Sequence, residues 1–223
     1  PPSISIENVP AYQDTALFKM ITKELDDAGY NWDVNIVDAA DYGAAQSRKR
    51  LIVRAVLDGE LRPLPQKTAP TDWYATLEDL INAAPRISID EAFKPKNRPT
   101  HWEIERIHKM IERGTLDPNK PILTTGGSAG ETVANARNSG GPGPTLVASP
   151  AQIPRIIRKV KDAPLVKKIE GNEELFEVIE TTPEMLRRYM GLPDTYVLPE
   201  IGPRGSFGLA KTILGNGVPG KVT

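Results

Sequence analysis

Two arginines, Arg48 and Arg50, stand at i and i+2 in the run Gln46-Ser47-Arg48-Lys49-Arg50, shortly after Asp41-Tyr42-Gly43. On an extended backbone, residues two apart point the same way. Beside a carboxylate at the mouth of a cleft, such a pair makes a fork for carbonyl or phosphate oxygens. The carboxylate candidate lies upstream, Glu7 in Ile6-Glu7-Asn8-Val9-Pro10.

The neighbouring pattern predicts the elements that hold these groups. Ser3 to Ile6 reads as a short buried strand ending at Glu7. Asp14 to Ala28 reads as a helix, because Leu17, Phe18, Ile21 and Leu25 form one apolar stripe. Gly29 is its stop. Trp32 to Val37 and Leu51 to Leu57 read as strands flanking the Asp41–Arg50 loop. This β-α-β-loop-β order suits the C-terminal half of an open α/β sheet, where ligands sit at the carboxyl ends of strands. From Asp58 the texture changes. Arg62 to Pro70 is a proline-rich linker. Thr76 to Ala83 and Trp102 to Arg113 read as helices, the second charged and surface-like, with His101 and His108 facing solvent. Thr124 to Gly143 is mostly loop, Thr145 to Val147 a short strand, and Phe176 to Ile179 a strand. Thr182 to Met190 is a helix capped by Thr182. Ser206 to Leu214 is a last helix, ending at Gly215-Asn216-Gly217.

Composition sets bounds. The 223 residues suffice for one large domain or two small ones, and 39% are hydrophobic. A net charge of −1 gives no global field for nucleic acid, so any basic surface is local. No run approaches a membrane span, no signal peptide is visible, and the default location is cytoplasmic. Cysteine is absent and histidine occurs twice. That excludes disulfides and a cysteine nucleophile within this sequence, and argues against a zinc enzyme. The sequence opens Pro1-Pro2 without Met, as a processed, truncated or partial sequence does.

Four segments, in order, carry a resemblance to the C-terminal half of the cytosine-5 DNA methyltransferases. Glu7-Asn8-Val9 is similar to the family's ENV motif, and Gln46, Arg48 and Arg50 to its Q-x-R-x-R motif. Thr182-Pro183-Glu184 with Gly191 to Tyr196 resembles the motif closing the recognition region. Gly215-Asn216-Gly217-Val218-Pro219 resembles the terminal G-N-x-V-P motif. The third match departs from the family: Ile179 stands where an arginine is usual, and Glu184 sits one place early. The family's glycine-rich cofactor motif and Pro-Cys nucleophile loop have no counterpart after Pro1-Pro2.

The resemblance implies an α/β fold: the C-terminal portion of a Rossmann-like methyltransferase sheet plus a smaller, loop-rich target-recognition domain. Residues 1–57 would be the end of the catalytic domain, 58–175 the recognition domain, and 176–223 the return. It implies DNA cytosine-5 methylation, in a restriction-modification setting, on a cytosine flipped from duplex DNA. Carbon 5 is a poor nucleophile, and addition of a thiolate to carbon 6 activates it. Glu7 would serve N3 and Arg50 would serve O2, with Arg48 holding the carboxylate and backbone. Asn216, Gly217 and Val218 would border S-adenosylmethionine, although such a glycine-rich segment is equally a helix cap and turn. Gln46, Arg155, Arg158 and Lys159 would meet DNA. The last three open a basic stretch, continued by Lys161, Lys167 and Lys168, that either neutralises phosphates or is a solvated loop. Thr125, Ser128, Asn135, Arg137 and Asn138 carry groups able to read base edges. The partners implied are double-stranded DNA and a complementary N-terminal half. A non-catalytic DNA-binding or regulatory subunit and an RNA-directed relative are the alternatives.

Overall fold

The computed structural model describes residues 1–84, 101–125, 136–148, 154–159, 176–198, 209–210 and 212–217, with the backbone alone for 101–105, 108, 176 and 177. The expectations for Val218, for the basic residues beyond Lys159, for Ser128 and Asn135, and for the side chains of His101 and His108 lie outside the described residues.

The first unit is a three-stranded sheet with one helix. Strand β1 (Ser3–Asn8) leads through a 3-10 turn (Pro10–Asp14) to helix α1 (Ala16–Asp27), then to strands β2 (Asn31–Asp38) and β3 (Lys49–Val56). The Thr15 hydroxyl accepts the Phe18 N–H at 3.1 Å and caps α1, and Gly29, at φ 76°, takes the left-handed turn that follows it. The strand order is β1-β3-β2, with β3 antiparallel to both neighbours. Strands β1 and β2 therefore run parallel, and α1 makes the crossover between them. On one face Leu51, Val53 and Ala55 pack against Phe18 and Leu25 of α1, flanked by Ile4, Ile6, Trp32 and Val34. Each such aliphatic burial contributes roughly 1.5–3 kcal/mol. Period-two alternation then turns Glu7, Arg50 and Arg54 to the opposite face. Strand β1 is longer and less buried than its sequence suggests: it extends through Asn8, and none of its residues is fully buried. It is an edge strand, which accounts for the exposure.

The second unit is a four-stranded antiparallel sheet, order β5-β4-β6-β7, made of β4 (Ile122–Thr124), β5 (Ala136–Asn138), β6 (Arg155–Lys159) and β7 (Phe176–Glu180). Adjacent apolar pairs in β4, β6 and β7 serve both faces, as a sheet covered on each side requires. Leu123, Ile156 and Ile179 meet α2 (Trp73–Ala83) and α4 (Pro183–Tyr189), including Leu77, Ile81, Met185 and Tyr189. Ile122, Ile157 and Val178 meet Ile107 and Met110 of α3 (His101–Glu112). Helix α3, which reads as a surface helix, thus buries one face. Ile179, at the position of the family's arginine, is a core residue. Thr182 caps α4 by accepting the Met185 N–H at 3.3 Å, as its place before the helix predicts.

Two expectations need correction. Residues 145–147 form no strand; their backbone is held by side chains from the first unit. The last helix also runs on: 212–216 are helical, so Gly215 and Asn216 lie within it rather than after it.

Candidate active site

The loop between β2 and β3 is organised by Asp38. Its Oδ1 accepts the backbone N–H of Arg48 at 2.8 Å and of Ala40 at 3.1 Å, and its Oδ2 accepts the Ser47 hydroxyl at 2.7 Å. Gly43, at φ 82°, closes the short 3-10 turn over Ala39–Tyr42. The linker seals this turn from outside: Lys67 pairs with Asp41 at 2.7 Å, and the Thr71 hydroxyl donates to the Gly43 carbonyl at 2.9 Å. The result is a fixed exit from the loop, from which Gln46, Arg48 and Arg50 are aimed.

Gln46 points into the protein and is 0% exposed. Its Oε1 accepts the Leu146 N–H at 3.1 Å, its Nε2 contacts the Met190 sulfur, and its backbone bridges to Gly143. The sequence offers Gln46 to a substrate; the fold engages both ends of its amide within the protein. Arg48 is 4% exposed. Its Nη1 donates to the Leu146 carbonyl at 3.0 Å and its Nη2 to the Gly215 carbonyl at 2.9 Å. Its Nε has no partner among the described residues. Burial first, and then the nearby Arg50 charge, lower its pKa to about 10, against a smaller opposing pull from Glu7. Arg48 still carries its charge at neutral pH and acts as a strut between β3, residue 146 and the 212–216 helix.

Arg50 has the other role in the pair. Its Nε lies 2.6 Å from Glu7 Oε1, and its Nη1 donates to the Lys49 carbonyl at 2.8 Å. The register explains the contact: Glu7 is opposite Ile52, so Arg50 is its diagonal neighbour on the same face. Arg48, expected to hold both the carboxylate and backbone, holds backbone alone, and Arg50 holds the carboxylate. Both side chains border one cleft, so the pair offers it carboxylate oxygens and guanidinium N–H groups.

Glu7, Arg48 and Arg50 line an open cleft of about 430 Å³, which Thr145, Val147 and Asn216 also border. That volume is in the range of small-molecule sites. Gly215 is needed here for a close approach: a Cβ would come within 2.6 Å of the Ala148 backbone. The exposed Asn216 presents an amide donor and acceptor to the same cleft, which suits a polar ligand at its rim. The sequence gives no sign of Thr145, whose hydroxyl donates to the Ser47 carbonyl at 2.6 Å, nor of Asp38 as the loop's organiser.

The basic residues of β6 do not line this cleft. Arg158 Nη1 donates to the Tyr74 hydroxyl and to Asn82 Oδ1, each at 3.1 Å, and Lys159 is exposed at the strand end. Asn138 Oδ1 accepts the Asp117 N–H and its Nδ2 donates to the Asp117 carbonyl, each at 2.8 Å, so its amide fixes a turn. Arg137 is exposed on the edge strand. No cluster of metal-binding side chains occurs among the described residues. No helix among them is long and apolar enough to cross a membrane.

The charged pair thus joins the end of β1 to the start of β3 in a helix-crossed sheet, beside a second small sheet. Comparison with known proteins identifies the family. The sequence model of the C-5 cytosine-specific DNA methylase matches residues 1–223, and the chain belongs to that family. It is 28% identical to the type II methyltransferase M1.HgaI of Avibacterium volantium, over 98% of this chain and 63% of that protein. It is also 28% identical to the type II methylase M.HgiDII of Herpetosiphon aurantiacus, over 48% of this chain and 28% of that protein. Among solved structures, its fold is similar to the Entamoeba histolytica methyltransferase EhMeth, with a TM-score of 0.60, 18% identity, and coverage of 100% of this chain and 60% of that one. It is also similar to S. pombe Dnmt2, with a TM-score of 0.57, 15% identity, and coverage of 100% and 64%. The chain thus spans less than two thirds of the length of these relatives.

Proposed function

We propose that this chain forms the cytosine pocket and target-recognition part of a DNA (cytosine-5)-methyltransferase, a modification enzyme like its type II relatives. The observation that carries the reading is the Glu7–Arg50 pair at 2.6 Å, bordering a cleft that Asn216 also lines. A flipped cytosine presents N3 and O2 as adjacent acceptors. During attack at carbon 6, negative charge grows toward both. Glu7 serves N3 as hydrogen-bond partner or proton donor, while Arg50 donates to O2. Arg48 and Gln46 touch neither atom; they fix the cleft wall. S-adenosylmethionine, when bound, supplies the methyl group, and Asn216 would hold one side of it. Gly217 and Val218 would complete that edge.

The thiolate belongs to a complementary N-terminal half, either a second polypeptide or more of the same one. The exposed edge of β1 supports this, because an edge strand accepts a further strand. Duplex DNA would lie against the second unit, with Arg155, Arg158 and Lys159 contributing to its phosphate contacts. Co-expression with an amino-terminal half that carries the cysteine loop is the test. Methylation of duplex DNA that needs both halves is the expected result. DNA binding without methylation by any pairing would leave the non-catalytic subunit in its place.

A further inference from the structure

The segment 145–148 borders the cleft and is held by side-chain hydrogen bonds at Thr145 and Leu146 and by a close backbone contact at Val147 and Ala148. The Thr145 hydroxyl is tied to Ser47, the Leu146 N–H to Gln46, and the Leu146 carbonyl to Arg48. The backbone of Val147 and Ala148 lies against Gly215 so closely that no Cβ fits between. Within this frame Leu146 is buried, whereas Val147 is 37% exposed and borders the cleft. Val9 borders the same cleft and is 51% exposed. Isolated exposed valines are ordinary. An exposed valine on a backbone pinned by three side chains and a glycine contact is a preorganised surface, and β-branching makes its own rotamer stiff.

We propose that Val147, supported by Val9, is a positioning residue that packs on the face of the extrahelical pyrimidine while Glu7 and Arg50 take its polar edge. A planar ring needs both kinds of contact. Hydrogen bonds at the edge set its rotation in its own plane, and apolar contact on the face sets its tilt and excludes water. This rests on the proposed function and adds the group that selects a flat ring over another polar ligand.

The test uses the complete enzyme, with any complementary half present, and two duplexes: one with 2-aminopurine at the target base to report flipping, and one with cytosine there to report methyl transfer. Val147→Ala removes two methyl-sized groups of contact, so the flipped, fluorescent population and the single-turnover methylation rate should both fall by about five- to tenfold. DNA affinity should stay within about twofold, since the phosphate contacts dominate it. Val147→Ile should restore both signals. Wild-type fluorescence and rate in Val147→Ala would overturn the proposal. If Val147→Ala melts markedly lower, Val147→Thr keeps the shape and carries the same prediction in direction, and wild-type signals there would also overturn it. Glu7→Gln separates the two levels. If it leaves methyl transfer intact, the cytosine-pocket reading fails; if it abolishes transfer while Val147→Ala is silent, only the role of Val147 fails.

Discussion

Arg48→Met is the most informative perturbation of the scaffold, because two opposing magnitudes set its outcome. The guanidinium makes two buried hydrogen bonds, to Leu146 at 3.0 Å and Gly215 at 2.9 Å. Charge-assisted bonds of this kind contribute about 1.5–3 kcal/mol each, and their loss leaves two buried carbonyls unsatisfied. Against that stands relief of the desolvated charge. Lowering the pKa to about 10 corresponds to about 3 kcal/mol of penalty on the protonated form. The two bonds together, about 3–6 kcal/mol, exceed the penalty by about 0–3 kcal/mol, and the orphaned carbonyls keep the sign of Arg48→Met destabilising. Arg48→Lys can reach one carbonyl but not both, and should fall between. Urea unfolding at pH 7 measures stability, and methyl transfer by the complete enzyme measures the cleft, whose wall should loosen with a loss beyond that of DNA affinity. An Arg48→Met protein as stable as wild type, with an unchanged rate, would refute the assignment of Arg48 as a strut.

Gly215→Ala places a methyl group within 2.6 Å of Ala148 backbone, where no flexible atom can yield. It should cost about 1–3 kcal/mol in thermal or urea unfolding and weaken function with it. Arg54 pairs with Asp33 and lowers its pKa below the ordinary 3.8. That contribution is present above about pH 4 and is lost as pH falls through the depressed value. Asp33→Asn should therefore reduce stability at pH 7, and the gap from wild type should close on acid titration; a gap independent of pH would contradict the pairing. Lys159→Ala should lower the slope of log affinity against log salt by up to about 1 for any duplex sequence, as one lost phosphate contact does. An unchanged slope would remove Lys159 from the DNA surface.

Much of the scaffold is legible in the sequence because its causes are local. The Thr15 and Thr182 caps, the Phe18, Ile21 and Leu25 part of the stripe on α1 and the turn at Gly29 depend on residues within a few positions, whereas Leu17, read into that stripe, is exposed. The arginine pair is legible by alternation, which turns Arg48 and Arg50 to one side. Their division of labour is not legible, because it depends on partners far along the chain: Leu146 and Gly215 for Arg48, Glu7 for Arg50. The same distance hides the burial of Gln46 and the absence of a strand at 145–147, where side chains replace ladder bonds. Gly215 reads as a turn glycine from sequence, but its position in a helix against Ala148 gives a different reason for it. Helix α3 misleads because its charged residues outnumber the few that reach the second core.

The central claim is that the Glu7–Arg50 cleft holds the reacting cytosine. Single-turnover methyl transfer by the complete enzyme with Glu7→Gln tests it most directly. The glutamine keeps the shape of the side chain but cannot deliver a proton to N3. The account predicts a rate lower by about 10²- to 10⁴-fold, the usual range for a lost general acid, with duplex affinity within a few fold of wild type. A rate within twofold of wild type, at equal affinity, would contradict it.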